Sequence, residues 1–533
     1  MLVSFFLNLL LLPFLPYRLW RTWAASPKRG VVTIKIAGTV EELCSPRRRF
    51  VLPWQRSKPP FSLHHFTRMC GTMRDDPRVR GLRVELHPFN GGFAIAEGLR
   101  EALKLLGKPA WVYLPKGGGL KEYYVASAGE HITMPGPADL RLLGLGGRSL
   151  YFGEVLAKLG VEAEVEQRYE FKSMGEMFTR SGMSEPARAQ LTTIVEELKA
   201  RIFSAIGERV KSADLDTLLT SGPYRAEEAK RLGLVDAVGF GEQLDDSLSD
   251  TRGKAKKIAA SDYAAVRLRP LFRPFLRRKR VAVIRLAGVI VDEARSVAQA
   301  SADGIIPLLD AARKNRRIAS VVLLVDSRGG SAFATAEIHH ALLRLLENKP
   351  VVAYLSDYAA SGGYYAAAPC REIVARPMTV TGSIGVVALR PVIDPLLAKL
   401  GIARDGVSVG AHAGMLDASQ RWSEAERQAM RKSLDETYAE FTGVVKDGRK
   451  LDDAEVDAVA RGRVWLGSQA LSRKLVDHLG GFKLALERAA ALGSVKTPGE
   501  PMLLEGKRRL GGLPLALFLE GGMVCFESLE ITQ

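Results

Sequence analysis

The feature that most constrains this 533-residue chain is an internal repeat. Lys108-Pro109 recurs as Lys349-Pro350, and the stretch LAKLG at residues 156–160 recurs at residues 397–401, in both cases 241 positions further on. Solenoid repeats are much shorter, at about 20–50 residues. The constant offset therefore predicts a duplicated domain, with two copies of one fold following each other along the chain.

The repeat and the local composition divide the chain into five segments. Between Arg252 and Arg280 there are 11 Lys or Arg residues and one acidic residue, Asp262, so this stretch supplies +10 of the net charge of +17. Charge concentrated in this way favours contact with solvent or anionic lipid, and we expect no nucleic-acid partner. The predicted segments are a hydrophobic membrane anchor at 1–24, a first copy at 25–250, a basic linker at 251–280, a second copy at 281–495 and a tail at 496–533.

The N-terminal segment is apolar but short. Residues 1–17 carry no charge, and Pro13 and Pro16 limit the helical part, whereas a bilayer span needs about 20 apolar residues. No basic residue precedes the run and no clear small-residue cleavage site follows it, so it differs from a secretory signal. We expect an uncleaved anchor or an interfacial helix. The basic residues that follow, Arg18 and Arg21 among them, favour a cytoplasmic position for that flank.

Apolar runs and amphipathic segments alternate within each copy. Val321–Val325 is a β-branched run of the kind found in strands buried on both faces, and Ala334–Leu346 has apolar residues at helical spacing before a second buried run at Val351–Leu355. This alternation predicts an α/β fold with mainly parallel sheets. The four cysteines are scattered and no Cys/His motif is present, so we expect neither a disulfide framework nor a metal or other cofactor.

The second copy contains a serine in a setting suited to nucleophilic chemistry. Ser361 lies in the sequence AASGGYY after the buried run at Val351–Leu355 and before an Ala-rich helical stretch. Small neighbours leave its hydroxyl accessible, and amides at a helix start can stabilise an oxyanion. A tight turn that merely requires small residues is the alternative interpretation. The turn DSRGGS, with Gly329 and Gly330, and the strand end TGSIG, with Ser383, have a similar character.

The two copies complement each other in a way that suggests a base for this serine. At the offset of 241, Ser361 corresponds to Leu120, and residues 115–125 contain no serine. Lys172 of the first copy corresponds to Ala413, and no lysine lies between Lys399 and Lys432. Each copy thus has what the other lacks. One catalytic site built from Ser361 and Lys172 would explain this, although most lysines are simply surface residues.

These segments resemble the signal peptide peptidase SppA (protease IV) family in its long duplicated form. The resemblance runs from about residue 30 to about residue 490 and rests on the Gly-Gly turn, AASGGY, TGSIGV and GRVW of the second copy and on YEFKS, with Lys172, of the first. It implies two tandem domains of the Clp-protease/crotonase-like fold, and a membrane-associated Ser/Lys endopeptidase that degrades cleaved signal peptides and similar apolar peptides. It also implies a homotetramer and a catalytic body on the extracytoplasmic (periplasmic) side. The basic residues after the anchor favour the opposite, cytoplasmic side.

The resemblance also implies residue roles. Ser361 matches the nucleophile and Lys172 the general base; Gly329, Gly330 and Gly362 match the oxyanion donors, and Ser383 is a partner for the lysine amine. Arg328 departs from the pattern, because the family usually has proline there, which would fix φ and remove an N–H. Two alternatives stay open: a non-catalytic membrane scaffold that keeps the fold, and a crotonase-type acyl-CoA enzyme.

Overall fold

The computed structural model describes most of the chain. The described residues are 13, 15–17, 20, 30–44, 60–212, 214–248, 256–268, 279–294, 296, 299–496, 499–505, 524–525 and 530–532. The predicted anchor at residues 1–24 therefore lies almost entirely outside them. Among the residues that are described, no helix is both long enough and apolar enough to cross a bilayer.

The strands and helices alternate along the chain, as the sequence predicts. The strands are β1 (Gly30–Glu41), β2 (Phe61–Ser62), β3 (Val79–Asn90), β4 (Ala110–Tyr113), β5 (Gly118–Gly119), β6 (His131–Met134), β7 (Asp139–Arg141), β8 (Gly146–Arg148), β9 (Glu162–Gln167), β10 (Tyr224–Arg225), β11 (Ala237–Val238), β12 (Lys257–Ala259), β13 (Arg280–Ala287), β14 (Val289–Val291), β15 (Gln299–Ser301), β16 (Ile318–Ser327), β17 (Gly330–Ser331), β18 (Val351–Ala360), β19 (Glu372–Ala375), β20 (Val380–Gly382), β21 (Val387–Val392), β22 (Val464–Leu466), β23 (His478–Leu479), β24 (Met502–Leu504), β25 (Val524–Cys525) and β26 (Glu530–Thr532).

The helices lie between these strands, and a short 3-10 turn covers Ser173–Gly175. The helices are α1 (Leu63–Asp75), α2 (Phe93–Leu105), α3 (Leu120–Ala126), α4 (Gly153–Leu159), α5 (Glu176–Thr179), α6 (Glu185–Gly207), α7 (Leu215–Thr220), α8 (Ala226–Arg231), α9 (Gly241–Ser247), α10 (Ala260–Arg267), α11 (Ala302–Lys314), α12 (Ala332–Leu346), α13 (Gly362–Ala367), α14 (Asp394–Lys399), α15 (Glu424–Arg449), α16 (Asp453–Val459), α17 (Gly467–Ser472) and α18 (Phe482–Leu492).

The chain forms two compact units whose limits differ from those of the sequence repeat. Unit 1 comprises residues 1–146 and 196–278 with the last residue, and unit 2 comprises residues 147–195 and 279–532. Residues 147–195 belong to the first copy by sequence, yet they pack in the same unit as the second copy. Lys172 and Ser361 are consequently parts of one compact unit.

The main sheets of the two units have equivalent strand orders. In the described part of unit 1 the order is β11-β6-β4-β3-β1-β12, with β2 beside β1, and all these pairs are parallel. In unit 2, β23, β19, β18, β16, β13 and β24 follow one another in the corresponding order, again parallel. Next to β18 lies β20, which pairs with the antiparallel β22. The α/β class and the mainly parallel sheets are thus confirmed.

Parts of the basic stretch and of the tail belong to these sheets. β12 and α10 lie between residues 257 and 267, and β12 pairs with Val31–Thr33 of β1. β24, beyond residue 495, pairs with Ala282–Ile284 of β13. In unit 2 the central strands are buried on both faces, and every residue of Val321–Val325 is at most 2% exposed. This explains their continuous apolar sequence, because a parallel sheet covered on both faces has no polar side.

Candidate active site

Ser361 lies at the sharp junction between β18 and α13. Its backbone has φ 53° and ψ −120°, a conformation that a residue with a Cβ adopts only under strain. Two hydrogen bonds hold it there: the Ser361 N–H donates to the Gly382 carbonyl (2.8 Å), and the Tyr365 N–H donates to the Ser361 carbonyl (2.9 Å). Such strain is typical of functional residues that the surrounding structure keeps in place.

Lys172 reaches the serine from the stretch after β9. Its side chain is 1% exposed, and its Nζ donates to the Ser361 Oγ at 3.0 Å and to the Ser383 Oγ at 2.9 Å. A third hydrogen bond joins Nζ to the Ser383 carbonyl oxygen at 3.1 Å. Both serines are fully buried. The structure thus brings together the two residues that the sequence copies hold separately, with Ser383 as a shared neighbour.

Ser383 occupies a second strained turn, at the end of β20. Its φ is 52°, and its N–H donates to the Arg463 carbonyl at 2.6 Å. β20 pairs with the last residues of β18, so the ends of these two strands place Ser383 beside Ser361. The shared geometry follows from the parallel sheet, in which neighbouring strands end at the same edge.

Two glycines that sequence reasoning did not assign a role make room for Lys172. A Cβ on Gly462 would lie 2.8 Å from the Lys172 Cα, and one on Gly385 would lie 3.3 Å from the Lys172 Cδ. Gly462 also has φ +83°, which favours glycine. Gly462 begins the GRVW segment, and this position in a recognised motif is the feature of the sequence that could have indicated a role for it. Its contact with Lys172 arises only on folding.

The Gly-Gly turn lies beside the serine. A Cβ on Gly362 would lie 3.5 Å from the Gly329 Cα and 2.6 Å from the Thr335 Oγ1, so the chain approaches closely at this point. The Gly329 N–H donates to the Ser327 Oγ at 3.1 Å, while the Gly329 carbonyl accepts from the Ile290 N–H at 2.9 Å. All six predicted site residues are therefore close neighbours in unit 2.

The turn that contains Arg328 is stabilised without proline. The Arg328 guanidinium lies over the Tyr358 ring, 4.2 Å from its centroid, and the Asp326 carboxylate accepts from the Tyr358 N–H at 3.2 Å. A cation–π contact of this kind contributes about 0.5–1 kcal/mol at exposed sites and more when desolvated. The arginine thus has a defined place against the strand that leads to the serine.

The edge of β17 next to the serine accepts a further strand. On one side Gly330 pairs with Ile290 of β14 in parallel fashion. On the other side Gly330 and Ser331 pair with Cys525 and Val524 of the chain's own C-terminal segment, in antiparallel fashion. The chain's own C-terminal strand therefore occupies this edge of β17.

Known proteins are similar to this chain over most of its length. The model of peptidase family S49 matches residues 102–254 and 344–496. A chloroplastic serine protease SPPA of Arabidopsis thaliana is 29% identical over 506 residues, covering 92% of this chain and 73% of that protein. Protease 4 of Haemophilus influenzae is 30% identical over 498 residues, covering 88% and 80%.

A third relative covers less of the chain. A protein of Enterococcus faecium with the provisional name signal peptide peptidase SppA is 31% identical over 214 residues, covering 39% of this chain and 62% of that protein. Among solved structures, an enoyl-CoA hydratase from Polaromonas sp. JS666 is 18% identical, with a TM-score of 0.21, and the match covers 36% of this chain and 65% of that one.

The class that follows from these matches is a serine endopeptidase. More specifically, this chain belongs to peptidase family S49, with the family domain present twice as in the long SppA-type proteases. The resemblance inferred from the sequence motifs is thereby confirmed.

Proposed function

We propose that this protein hydrolyses peptide bonds with a Ser/Lys dyad formed by Ser361 and Lys172. The observation that carries the proposal is the 3.0 Å hydrogen bond between the Lys172 Nζ and the Ser361 Oγ, in a site where both side chains are buried. A nucleophile within hydrogen-bonding distance of a base, with that base oriented by a third group, is the general arrangement for activated serines. Ser383 is the orienting group.

The reaction proceeds by acyl transfer. The Ser361 Oγ attacks the scissile carbonyl carbon while its proton moves to the neutral Lys172 Nζ. The tetrahedral intermediate collapses, the C–N bond breaks, and Lys172 returns the proton to the leaving amine. Water then attacks the acyl-enzyme with Lys172 as base, and release of the acid restores the Ser361 hydroxyl.

The oxyanion is stabilised by backbone amides of the two turns beside the serine. The Gly362 N–H follows the nucleophile directly, and the Gly329-Gly330 turn lies next to it. The second donor comes from the Gly329-Gly330 turn, in which the Gly329 N–H also donates to the Ser327 Oγ at 3.1 Å. Preorganised donors of this kind contribute about 2.7–4 kcal/mol each to lowering the barrier.

The substrate is an extended apolar peptide, with remnants of signal peptides as the physiological class. The antiparallel strand Val524–Cys525 on the β17 edge supports binding of the substrate backbone by strand addition at the same place, where the substrate would replace this strand. The name of the Enterococcus faecium relative supports the substrate class. We further propose membrane association through residues 1–24, an extracytoplasmic catalytic body, a Clp/crotonase-like fold for each domain and a homotetrameric assembly.

The pH dependence of the reaction should be that of a basic catalyst. Lysine accepts a proton only as the neutral amine, and burial disfavours its charged form. The base is protonated and inactive at low pH, so we expect kcat/KM to rise as the pH increases from about 6 through neutrality to about 9. Stopped hydrolysis assays across this range provide the measurement, and a rate that peaks below about pH 6 would argue against a lysine base.

The proposed function is tested with the anchor-deleted protein and internally quenched fluorogenic peptides. One peptide should carry Leu, Ala and aromatic residues and a matched peptide should carry charged residues instead. We expect cleavage of the apolar peptide with a higher kcat/KM. Equal cleavage of both peptides would contradict the substrate class, and no cleavage of any peptide would contradict peptidase activity of this site.

A further inference from the structure

We propose that Glu164 and Arg390 form a buried positioning pair that holds Lys172 against Ser361 and Ser383. The inference concerns residues that neither contact the reacting atoms nor occur in any of the recognised motifs, and it rests on the proposed dyad. It follows from the way in which residues 147–195 are attached to the remainder of unit 2.

The attachment is a two-stranded antiparallel ladder between β9 and β21. Its register pairs Gln167 with Val387 and Glu164 with Arg390, and the Arg168 N–H extends it by donating to the Val386 carbonyl at 3.1 Å. Lys172 lies five residues beyond the end of β9, and Ser383 lies four residues before β21. Short segments therefore connect Lys172 and its partner Ser383 to one ladder, and a shift of either strand would move the two residues apart.

Glu164 has a buried carboxylate that accepts hydrogen bonds from Arg390, Arg427 and Trp422. Its side chain is 8% exposed and that of Arg390 is 6% exposed. The Arg390 Nη2 and Nε donate to the Glu164 Oε2 at 2.6 and 3.1 Å, and Arg427 adds a hydrogen bond of 3.0 Å to Oε1. The Trp422 N–H donates to both oxygens at 3.1 Å. Removing one partner of such a pair leaves an uncompensated buried charge.

The arginines connect Glu164 to the helix that follows. Arg390 also donates to the carbonyls of Met415 (3.1 Å) and Gln420 (2.7 Å), which fixes the loop before α15. Arg427 of α15 binds both Glu164 and Glu166 of β9. The ladder, the loop and the helix thus share one network of charges.

Glu166 extends the same network to arginines that are more exposed than Arg390. Its carboxylate accepts from Arg427 at 2.8 Å and from Arg431 at 3.0 Å. Burial alone would raise the pKa of Glu166, but the hydrogen bonds from Arg431 and Arg427 outweigh it and hold the pKa below its usual value. The carboxylate is consequently ionised at neutral pH, as a clamp between strand and helix requires.

The opposite face of β9 contacts the Lys172 region directly. A Cβ on Gly175, three residues after Lys172, would lie 3.2 Å from the Val165 Cγ2. Val165 follows Glu164 and points to the other side of the strand, as alternation along a strand requires. A displacement of Glu164 therefore reaches the turn that carries Lys172, and a misplacement of about 1 Å can cost about 100-fold in rate.

Glu164→Gln tests the proposal because it keeps the shape of the side chain and removes its charge. We expect kcat for a short fluorogenic peptide to fall by about 10- to 100-fold, with KM changed less than about twofold. The rate should be expressed per active site titrated with a serine-directed phosphonate, which removes the contribution of unfolded protein. Glu166→Gln should lower kcat in the same direction but less, because the arginines that bind Glu166 are more exposed than Arg390. It provides the test if Glu164→Gln does not fold.

Glu372→Gln is the matched control. Its carboxylate also accepts two hydrogen bonds from one arginine, Arg488, at 2.5 and 2.6 Å in unit 2, but it lies on β19 and outside this network. We expect it to lower the melting temperature while leaving kcat per active site unchanged. The proposal is overturned if Glu164→Gln and Glu166→Gln behave in the same way as this control. If Lys172→Ala retains full activity, the proposed dyad itself has failed, which is a separate result.

Discussion

Ser361→Ala is expected to reduce kcat/KM for an apolar peptide by at least about 1,000-fold. The substitution removes the proposed nucleophile, and what remains is the contribution of binding and oxyanion donors alone. Alanine is compatible with the small neighbours Ala360 and Gly362. The measurement is a progress curve at high enzyme concentration beside the wild-type protein, with circular dichroism as the check on folding.

Ser320→Ala controls for loss of a buried serine hydroxyl. Ser320 is fully buried in β16 of the same unit, and among the described residues its Oγ has no hydrogen-bond partner. The change should leave kcat/KM within about twofold, because no hydrogen bond is lost. Comparable activity of Ser361→Ala and the wild type would mean that another residue attacks the substrate.

Lys172→Ala is expected to lower kcat by about 1,000-fold or more, a loss of the same order as for Ser361→Ala, and to change KM little. The substitution removes the amine that lies 3.0 Å from the Ser361 Oγ and is proposed to accept its proton. The Ser383 Oγ also loses its hydrogen bond of 2.9 Å to this amine. Residues that act as a unit are not additive, so the Ser361→Ala/Lys172→Ala double variant should be no less active than Ser361→Ala. Steady-state kinetics of the three proteins give the comparison.

Lys349→Ala is the control for removing a lysine whose amine donates to backbone carbonyls within the same unit. The Lys349 Nζ donates to the carbonyls of Ala312 (2.5 Å) and Asn315 (2.7 Å), and burial lowers its pKa. It is part of unit 2 but not of the site, so kcat should be retained even if the protein melts earlier. Equal activity of Lys172→Ala and Lys349→Ala would remove Lys172 from the mechanism.

The sequence is informative where a constraint is local or where the repeat supplies a comparison. The buried run Val321–Val325 predicts a strand from its own composition, and it forms part of β16. Ser361 and Lys172 can be paired from the sequence alone, because each copy lacks the group that the other has. The offset between the copies thus takes the place of an alignment.

Other features could not be predicted because they depend on contacts between distant parts of the chain. Residues 147–195 pack with the second copy, and nothing in their own pattern distinguishes this from packing with the first. In the sequence, Glu164 does not differ from a glutamate on an exposed strand. Its burial depends on Arg390, 226 positions later, which lies opposite it only in the folded chain. Gly462 shows its significance only when the Lys172 backbone lies against it.

Covalent trapping of the nucleophile tests the central claim most directly. The wild-type protein, Ser361→Ala and Lys172→Ala are incubated with a peptidyl phosphonate that carries an apolar side chain, and the adduct is located by intact mass and peptide mapping. The account predicts one adduct on Ser361 in the wild type, none in Ser361→Ala and much slower formation in Lys172→Ala. An adduct on a different residue, or equal rates in all three proteins, would contradict it.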